Sequence, residues 1–191
     1  MSKVFFTSDT HFSHEFVAQT RGFASAEEHD AHVVRAWNSV VSKRDSVWHL
    51  GDVGMGSINR FREILDQLNG TIHLITGNHD ECAPGVFRKS QNKQGQWLHH
   101  FESIQQFQRF KYQDIEFLAS HFPYYGEGQR DLPERYSEYR LRDTGLPLIH
   151  GHTHSEGVRS ADHPRQFHVG WDAWGAPVSL DSVLFVISRA V

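Results

Sequence analysis

The sequence predicts an α/β protein with mixed sheets, and three observations carry that prediction. Short apolar runs recur along the 191 residues, stretches with helical spacing lie between them, and one segment reads as a hairpin. The runs are "KVFFTSD" (3–9), "SVWHLGD" (46–52), "TIHLITGNHD" (71–80), "IEFLASH" (115–121) and "PLIHGHTH" (147–154). Being apolar on both faces, they suit strands of a sheet covered on both sides. Strands alternating with helices give an α/β architecture.

Each element has its own justification. After the first run, Ser25 and Glu28 form a capping box ahead of Val33, Trp37, Val40 and Val41, which share one helical face. After the second, Phe61, Ile64, Leu65 and Leu68 repeat that spacing, with Gly70 where a helix C-cap belongs. "FQRFKYQDIEFLAS" reads as a hairpin turning at Gln113–Asp114, which makes part of the sheet antiparallel. The late run "SLDSVLFVIS" fits a helix or a strand equally. No repeat, low-complexity segment or linker divides the chain, so residues 1–191 are expected to form one domain without a separate cap.

Composition excludes several classes. Hydrophobic residues at 38% and charged residues at 22% describe an ordinary soluble domain, not a disordered one. A net charge of −4 leaves no basic footprint for extended nucleic acid, although a nucleic-acid end stays open as a substrate. The single cysteine, Cys82, permits no intramolecular disulfide and is expected to be a plain small residue of a cytoplasmic protein. The start "MSKVFFTSD" has too few apolar residues for a signal-peptide core, and the run Val183–Ile187 is too short for a membrane span.

The chemistry lies where the runs end, in Asp, Asn or His. Ligands of open α/β sheets bind outside the carboxyl ends of the strands. The fold would then gather Asp9, His11, Asp52, Asn78, His79, His121, His152 and His154 around one crevice. With fifteen histidines in the chain, a clump such as His150, His152 and His154 can arise by chance, and a strand end turning into a cap is the ordinary explanation. Partners in five separate segments favour the ligand reading. Oxygen and imidazole donors without thiolate suit Mn, Fe, Zn, Co or Ni. Two ions about 3.5–4 Å apart, sharing one carboxylate, can generate a hydroxide and clamp an in-line displacement at phosphorus. Two divalent ions set against Asp9, Asp52 and a hydroxide leave about +1, which attracts a phosphate ester.

The blocks Asp9-Thr-His11, Gly51-Asp52-Val-Gly54, Gly77-Asn78-His79-Asp80, Ser120-His121-Phe-Pro123 and Gly151-His152-Thr-His154 resemble, in order, the signatures of calcineurin-like metallophosphoesterases. The flanks "FTSDTHFSHEFV", "EEHDAHVVRAWNSVV", "VWHLGDVG" and "HVGWDAWGAPVSLD" are similar to a small bacterial and phage-associated branch of that family. The resemblance implies a two-sheet β-sandwich flanked by helices. It also implies two divalent or mixed-valence transition metal ions. One would be held by Asp9, His11, Asp52 and His154, the other by Asp52, Asn78, His121 and His152, with Asp52 bridging. His79 would face the scissile phosphate as leaving-group acid or transition-state donor, so His79 and Asp52 are the expected catalytic residues.

Other residues carry weaker readings. His150 is expected to pack or support, Asp80 to hydrogen-bond a ligand or His79, and Trp171 and Trp174 to belong to the core. His14, His29, His32, His49, His73, His99, His100, His163 and His168 read as surface or helix-face histidines, with His14 near the first block. "GEGQRDLPERYSEYRLRDTG" (126–145) is either a solvated excursion or a substrate-side loop in which Arg130, Arg135, Arg140 and Arg142 contact phosphate.

The expected function is a metal-dependent phosphodiesterase acting on small or end-exposed nucleotide-type esters. A phosphomonoesterase of the same fold is the alternative, and a partner-binding scaffold is a different class that the presence of His79 disfavours. A metallo-β-lactamase-like site needs HxHxDH, but Ser155 and Glu156 follow His154. An amidohydrolase needs HxH closing its first strand, where this chain has Asp9-Thr-His11.

Overall fold

The first strand, β1 (Val4–Thr7), shows how the chain builds its layers. Adjacent strand residues point to opposite faces, so Phe5 enters a core beneath helices while Phe6 enters a core between two sheets. The computed structural model describes residues 2–128, 133–160 and 163–189. After β1 come α1 (Glu15–Thr20), α2 (Ala26–Val40), β2 (Ser46–His49), α3 (Arg62–Leu65), β3 (Thr71–Ile75), α4 (Gln91–Trp97) and β4 (Ser103–Gln105). The chain continues through β5 (Phe107–Tyr112), β6 (Ile115–Ser120), β7 (Leu148–His150) and β8 (Gln166–His168). It ends in α5 (Trp171–Trp174), β9 (Val178–Ser179) and α6 (Leu180–Ser188).

Both sheets are mixed. The first has the order β4-β3-β2-β1-β9, with β1 to β4 parallel and β9 antiparallel to β1. The second has the order β5-β6-β7-β8, with the β5–β6 hairpin antiparallel and the rest parallel. The hairpin closes Tyr112 on Ile115, and Gln113 adopts φ 53° at the turn.

Phe6, Leu50 and Ile75 of one sheet meet Phe117, Ala119, Ile149 and Phe167 of the other. Phe110 lies edge-on to Phe6 at 5.3 Å and stacks on Phe117 at 5.1 Å. On the outer face of the first sheet, Val33 and Trp37 of α2 cover Phe5, Val47, Ile72 and Leu74. Ser25 caps α2 by accepting from the Glu28 amide at 3.3 Å, and Glu28 accepts in return from the Ala24 amide at 2.9 Å.

Several expectations need correction. Val40 turns outward, 43% exposed, because α2 ends there and leaves only Val41 on the apolar face. The helix over Phe61–Leu68 stops at Leu65, and Gly70, at φ +97°, serves the turn into β3 instead of a helix cap. The run at 179–188 is helix α6, capped by Ser179 at the end of β9, and its Val183 and Ile187 enter the inter-sheet core. His29, His49 and His168 are interior, each at most 1% exposed, because polar neighbours satisfy the first two and the third lies behind Asp9. Cys82 is wholly buried in the helix-side core, and Trp171 belongs to that core as well. Among the described residues no helix is long and apolar enough to cross a membrane.

Candidate metal centre

Each strand stops short of its polar residues, which sit in tight loops beyond the strand ends. Asp9, His11, Asp52, His152 and His154 all adopt positive φ, between 50° and 67°. For residues with a Cβ this left-handed backbone costs about 1–2 kcal/mol each, and it persists only where surroundings impose it. Here the loops after β1 and β2 are laced together: the amides of Asp9 and His11 donate to the carbonyls of Gly51 and Asp52 at 2.9 and 3.1 Å. Asp80 supplies the second restraint, accepting from the amides of Gly77, Asp52 and Val53 at 2.7, 3.0 and 3.0 Å. It therefore supports the ligand loop through backbone amides. Two motif glycines permit close approach: a Cβ on Gly77 would stand 2.3 Å from Asp52 Oδ1, and one on Gly151 would stand 2.0 Å from Ser8 Oγ.

These loops bring the expected residues together as two clusters. Asp9, His11 and His154 offer donor atoms within 4.8 Å of one another, and so do Asp52, His121 and His152. His11 Nε2 lies 3.1 Å from His154 Nε2 and 3.8 Å from Asp52 Oδ2. His121 Nε2 lies 3.5 Å from the same Asp52 oxygen and 3.3 Å from Asn78 Oδ1. One carboxylate oxygen thus touches both clusters. Two donors on an ion about 2.1 Å away stand about 3.0–3.4 Å apart, so the nearest pairs already have the spacing that a shared ion requires. Oxygen and imidazole nitrogen are donors fit for a divalent transition metal.

The imidazoles of His11 and His121 are biased toward the neutral form that a metal ligand requires. Burial drives His11 well below its ordinary pKa, with His154 adding to the effect, and burial likewise lowers His121. His121 donates from Nδ1 to the Leu50 carbonyl at 2.7 Å, which leaves Nε2 as the lone-pair nitrogen toward Asp52 and Asn78. For His154, burial lowers the pKa, but the hydrogen bond to Asp172 and the charge of Asp9 outweigh it and the net shift is upward. Burial raises the Asp9 carboxyl against the pull of His154 and His121. Its oxygens accept the His152 amide at 3.2 and 3.1 Å.

Both histidines of the HxH block are backed by a carboxylate that is itself held by arginine. His154 Nδ1 meets Asp172 Oδ2 at 3.0 Å, and Arg21 grips both Asp172 oxygens at 2.8 Å while donating to the Asp9 carbonyl at 2.8 Å. His152 Nε2 lies 3.2 Å from Glu127 Oε2, and Glu127 is bound by Arg135 at 3.1 Å and Arg140 at 2.5 Å. Arg21, Asp172 and Glu127 carry no motif of their own, and although Asp172 and Glu127 lie in segments singled out above, no local pattern gives either of them a role. His168 was also missed, and its Nε2 lies 3.9 Å from Asp9 Oδ2.

Two of the four arginines of 126–145 named above are engaged within the protein. Arg135 and Arg140 are engaged with buried Glu127, behind His152. Arg142 is exposed, and Arg130 lies outside the described residues. His150 is buried, its Nδ1 donating to the Gly151 carbonyl at 2.8 Å. His14 caps α1, and its ring lies 5.4 Å from His11 and 6.3 Å from His79. The His79 side chain is 38% exposed, the most open of the group, with Nε2 3.9 Å from Asp52 Oδ2.

Residues 2–174 match the calcineurin-like phosphoesterase superfamily domain. The chain belongs to that superfamily. It is 40% identical to the Gene 66 protein of Mycobacterium phage L5, covering 99% of this chain and 96% of that one. It is 30% identical to the protein MJ1445 of Methanocaldococcus jannaschii, covering 99% and 93%. The crystal structure of AQ665 from Aquifex aeolicus shares the fold at a TM-score of 0.73 and 22% identity, over 98% of this chain and all of the other. For a phosphoesterase superfamily member, two candidate metal-binding groups at the strand ends are the expected centre.

Proposed function

We propose that this protein is a dinuclear metal-dependent phosphohydrolase acting on small or end-exposed phosphodiesters of nucleotide type. The observation that carries the reading is the single Asp52 oxygen within 3.8 Å of both His11 and His121, which lets one carboxylate serve two ions. Asp9, His11, Asp52 and His154 would hold the first ion, and Asp52, Asn78, His121 and His152 the second. Two divalent ions bound there would supply Lewis-acid stabilisation of charge on phosphoryl oxygens and a lowered pKa for water at neutral pH.

The chain's own residues do the rest. His79 stands at the open side of the Asp52 cluster, where its imidazole can donate to a phosphoryl or leaving-group oxygen. Its amide donates to Asp52 Oδ1 at 2.9 Å, which fixes the bridging carboxylate and the donor relative to each other. The residual charge near +1 suits an ester carrying one negative charge. The overall charge of −4 disfavours the long backbone contacts that extended duplexes demand. A single cysteine, which permits no intramolecular disulfide, suits a cytoplasmic setting for such an enzyme.

The test is a screen of manganese-loaded protein against bis-p-nitrophenyl phosphate, p-nitrophenyl phosphate, and 2′,3′- and 3′,5′-cyclic nucleotides, with metal analysis on the same sample. About two equivalents of metal and a diester hydrolysed fastest are expected. A monoester turned over far faster than every diester would overturn the substrate class. Far less than two equivalents, without turnover, would favour a binding scaffold.

A further inference from the structure

We propose that the cleft between α1 and the segments around His154 and Trp171 is the subsite for the flat aromatic group, a nucleobase, of the substrate. This rests on the reading of the metal centre as a phosphodiesterase site. Exposure decides which way a bound ester must project. On one side the centre is sealed, with the His121 side chain at 0%, His152 at 3%, Glu127 at 1% and Arg140 at 4% exposed. On the other side His79 is 38% and His154 27% exposed. The organic part of an ester held at the centre therefore leaves past His79 and His154.

His154 stands between that open side and a cleft of about 660 Å³, which it lines together with Arg21 and Asp172. Its apolar lining is Phe16, Val17, Phe23 and the largely buried Trp171, three of the four aromatic. Phe16 is 72% exposed, although it sits on α1 only two residues beyond His14, whose ring lies 6.5 Å from it. A large aromatic ring left in water beside a reaction centre gains by stacking on a flat partner. The polar groups argue against a second phosphate as that partner. Asp172 and Glu156 line the cleft, and the one arginine there, Arg21, spends its charge on Asp172. A neutral ring with hydrogen-bonding edges matches this mixture better than an anion does, and Glu156 can accept from an exocyclic amine or a sugar hydroxyl.

The experiment compares adenosine 2′,3′-cyclic phosphate with glycerol 1,2-cyclic phosphate, a diester lacking a base. Phe16→Ala should raise the ratio of the two KM values (adenosine over glycerol ester) about tenfold, in line with the loss of one stacking contact, and Phe16→Trp should restore it. Binding of adenosine alone to wild-type protein, followed by NMR, should shift the Trp171 indole and the amides of α1. An equal effect of Phe16→Ala on both esters, or adenosine leaving those signals unmoved, would overturn the subsite. If neither ester is hydrolysed but adenosine shifts the signals and Phe16→Ala abolishes the shift, the subsite stands and the diesterase reading falls.

Discussion

The two halves of the centre are built alike and exposed differently. In each, a histidine of the HxH block leans on a carboxylate, and the carboxylate is held by arginine: His154–Asp172–Arg21 in one half, His152–Glu127–Arg140 in the other. The Asp172 half stays partly open, while the Glu127 half is sealed to within a few percent. A buried carboxylate beside a ligand histidine fixes the ring and raises its basicity, and the arginine keeps that carboxylate from being an unpaired buried charge. The difference teaches that the two halves share their supporting chemistry and differ in access from solvent.

The largest effect should come from the residue that both halves share. Asp52→Ala is expected to remove both metal equivalents and essentially all activity, because its carboxylate reaches each cluster. Metal analysis checks this, and full occupancy in the variant would mean the halves are independent. Next, His79→Ala should keep both equivalents while lowering kcat about 10²–10⁴-fold, the range for a lost proton donor or transition-state contact. Single-turnover rates should show a smaller loss for p-nitrophenyl esters, whose leaving group needs little protonation. Loss of metal would instead place His79 among the ligands.

The supporting carboxylates separate the halves. Glu127→Gln should weaken the second metal equivalent about 10–100-fold with less effect on the first, and Asp172→Asn should do the reverse. Calorimetric titration of the metal-free variants reads both steps. If both variants weaken the same equivalent alike, the parallel between the halves is only pictorial.

How much of this was legible follows from the range of the interactions. The gathering of Asp9, His11, Asp52, Asn78, His121, His152 and His154 was readable because each follows the end of a short apolar run, and Gly51, Gly77 and Gly151 precede three of them. The β5–β6 hairpin and α2 were readable because turn chemistry and capping lie within a few residues. Arg21 and Asp172 stand 151 positions apart, and no local pattern announces such a pair. Arg135 and Arg140 show the converse: an arginine-rich loop fits a solvated excursion or a phosphate cradle until Glu127, eight residues before Arg135, is seen to engage both. Strands β4, β8 and β9 span only three, three and two residues, too few to display alternation. The buried His29 and His49 were missed because composition marks imidazole as polar, while a ring with both nitrogens partnered can pack as core.

His49 is the clearest of these and gives the smallest predicted effect, on the floor beneath both halves. Its Nε2 meets Thr10 Oγ1 at 2.9 Å, and because that hydroxyl donates to the Val53 carbonyl, Nε2 must carry the proton. Its Nδ1 accepts the Gly51 amide at 3.2 Å, so the ring joins the loop after β1 to the loop after β2 only while neutral. Burial, with a smaller contribution from His121, pushes its pKa down to about 3. In the unfolded chain the same ring titrates near 6.5. Below that value the unfolded state binds the extra proton and the folded state does not. The contribution of His49 is therefore complete above about pH 6.5 and falls as the pH drops toward 3. Between pH 7 and 5 the loss is about 2 kcal/mol for one such ring. Asp80 works in the opposite sense, since burial and then Asp52 raise it to about 6, so the total pH dependence mixes signs. A difference measurement isolates the histidine. Urea unfolding of metal-free wild type and His49→Gln at the two pH values should show the wild type's advantage shrinking by about 2 kcal/mol at pH 5. An advantage that does not change with pH would mean that the ring is charged or hydrated in the fold. The loops under the two halves would then be joined by something other than a neutral imidazole.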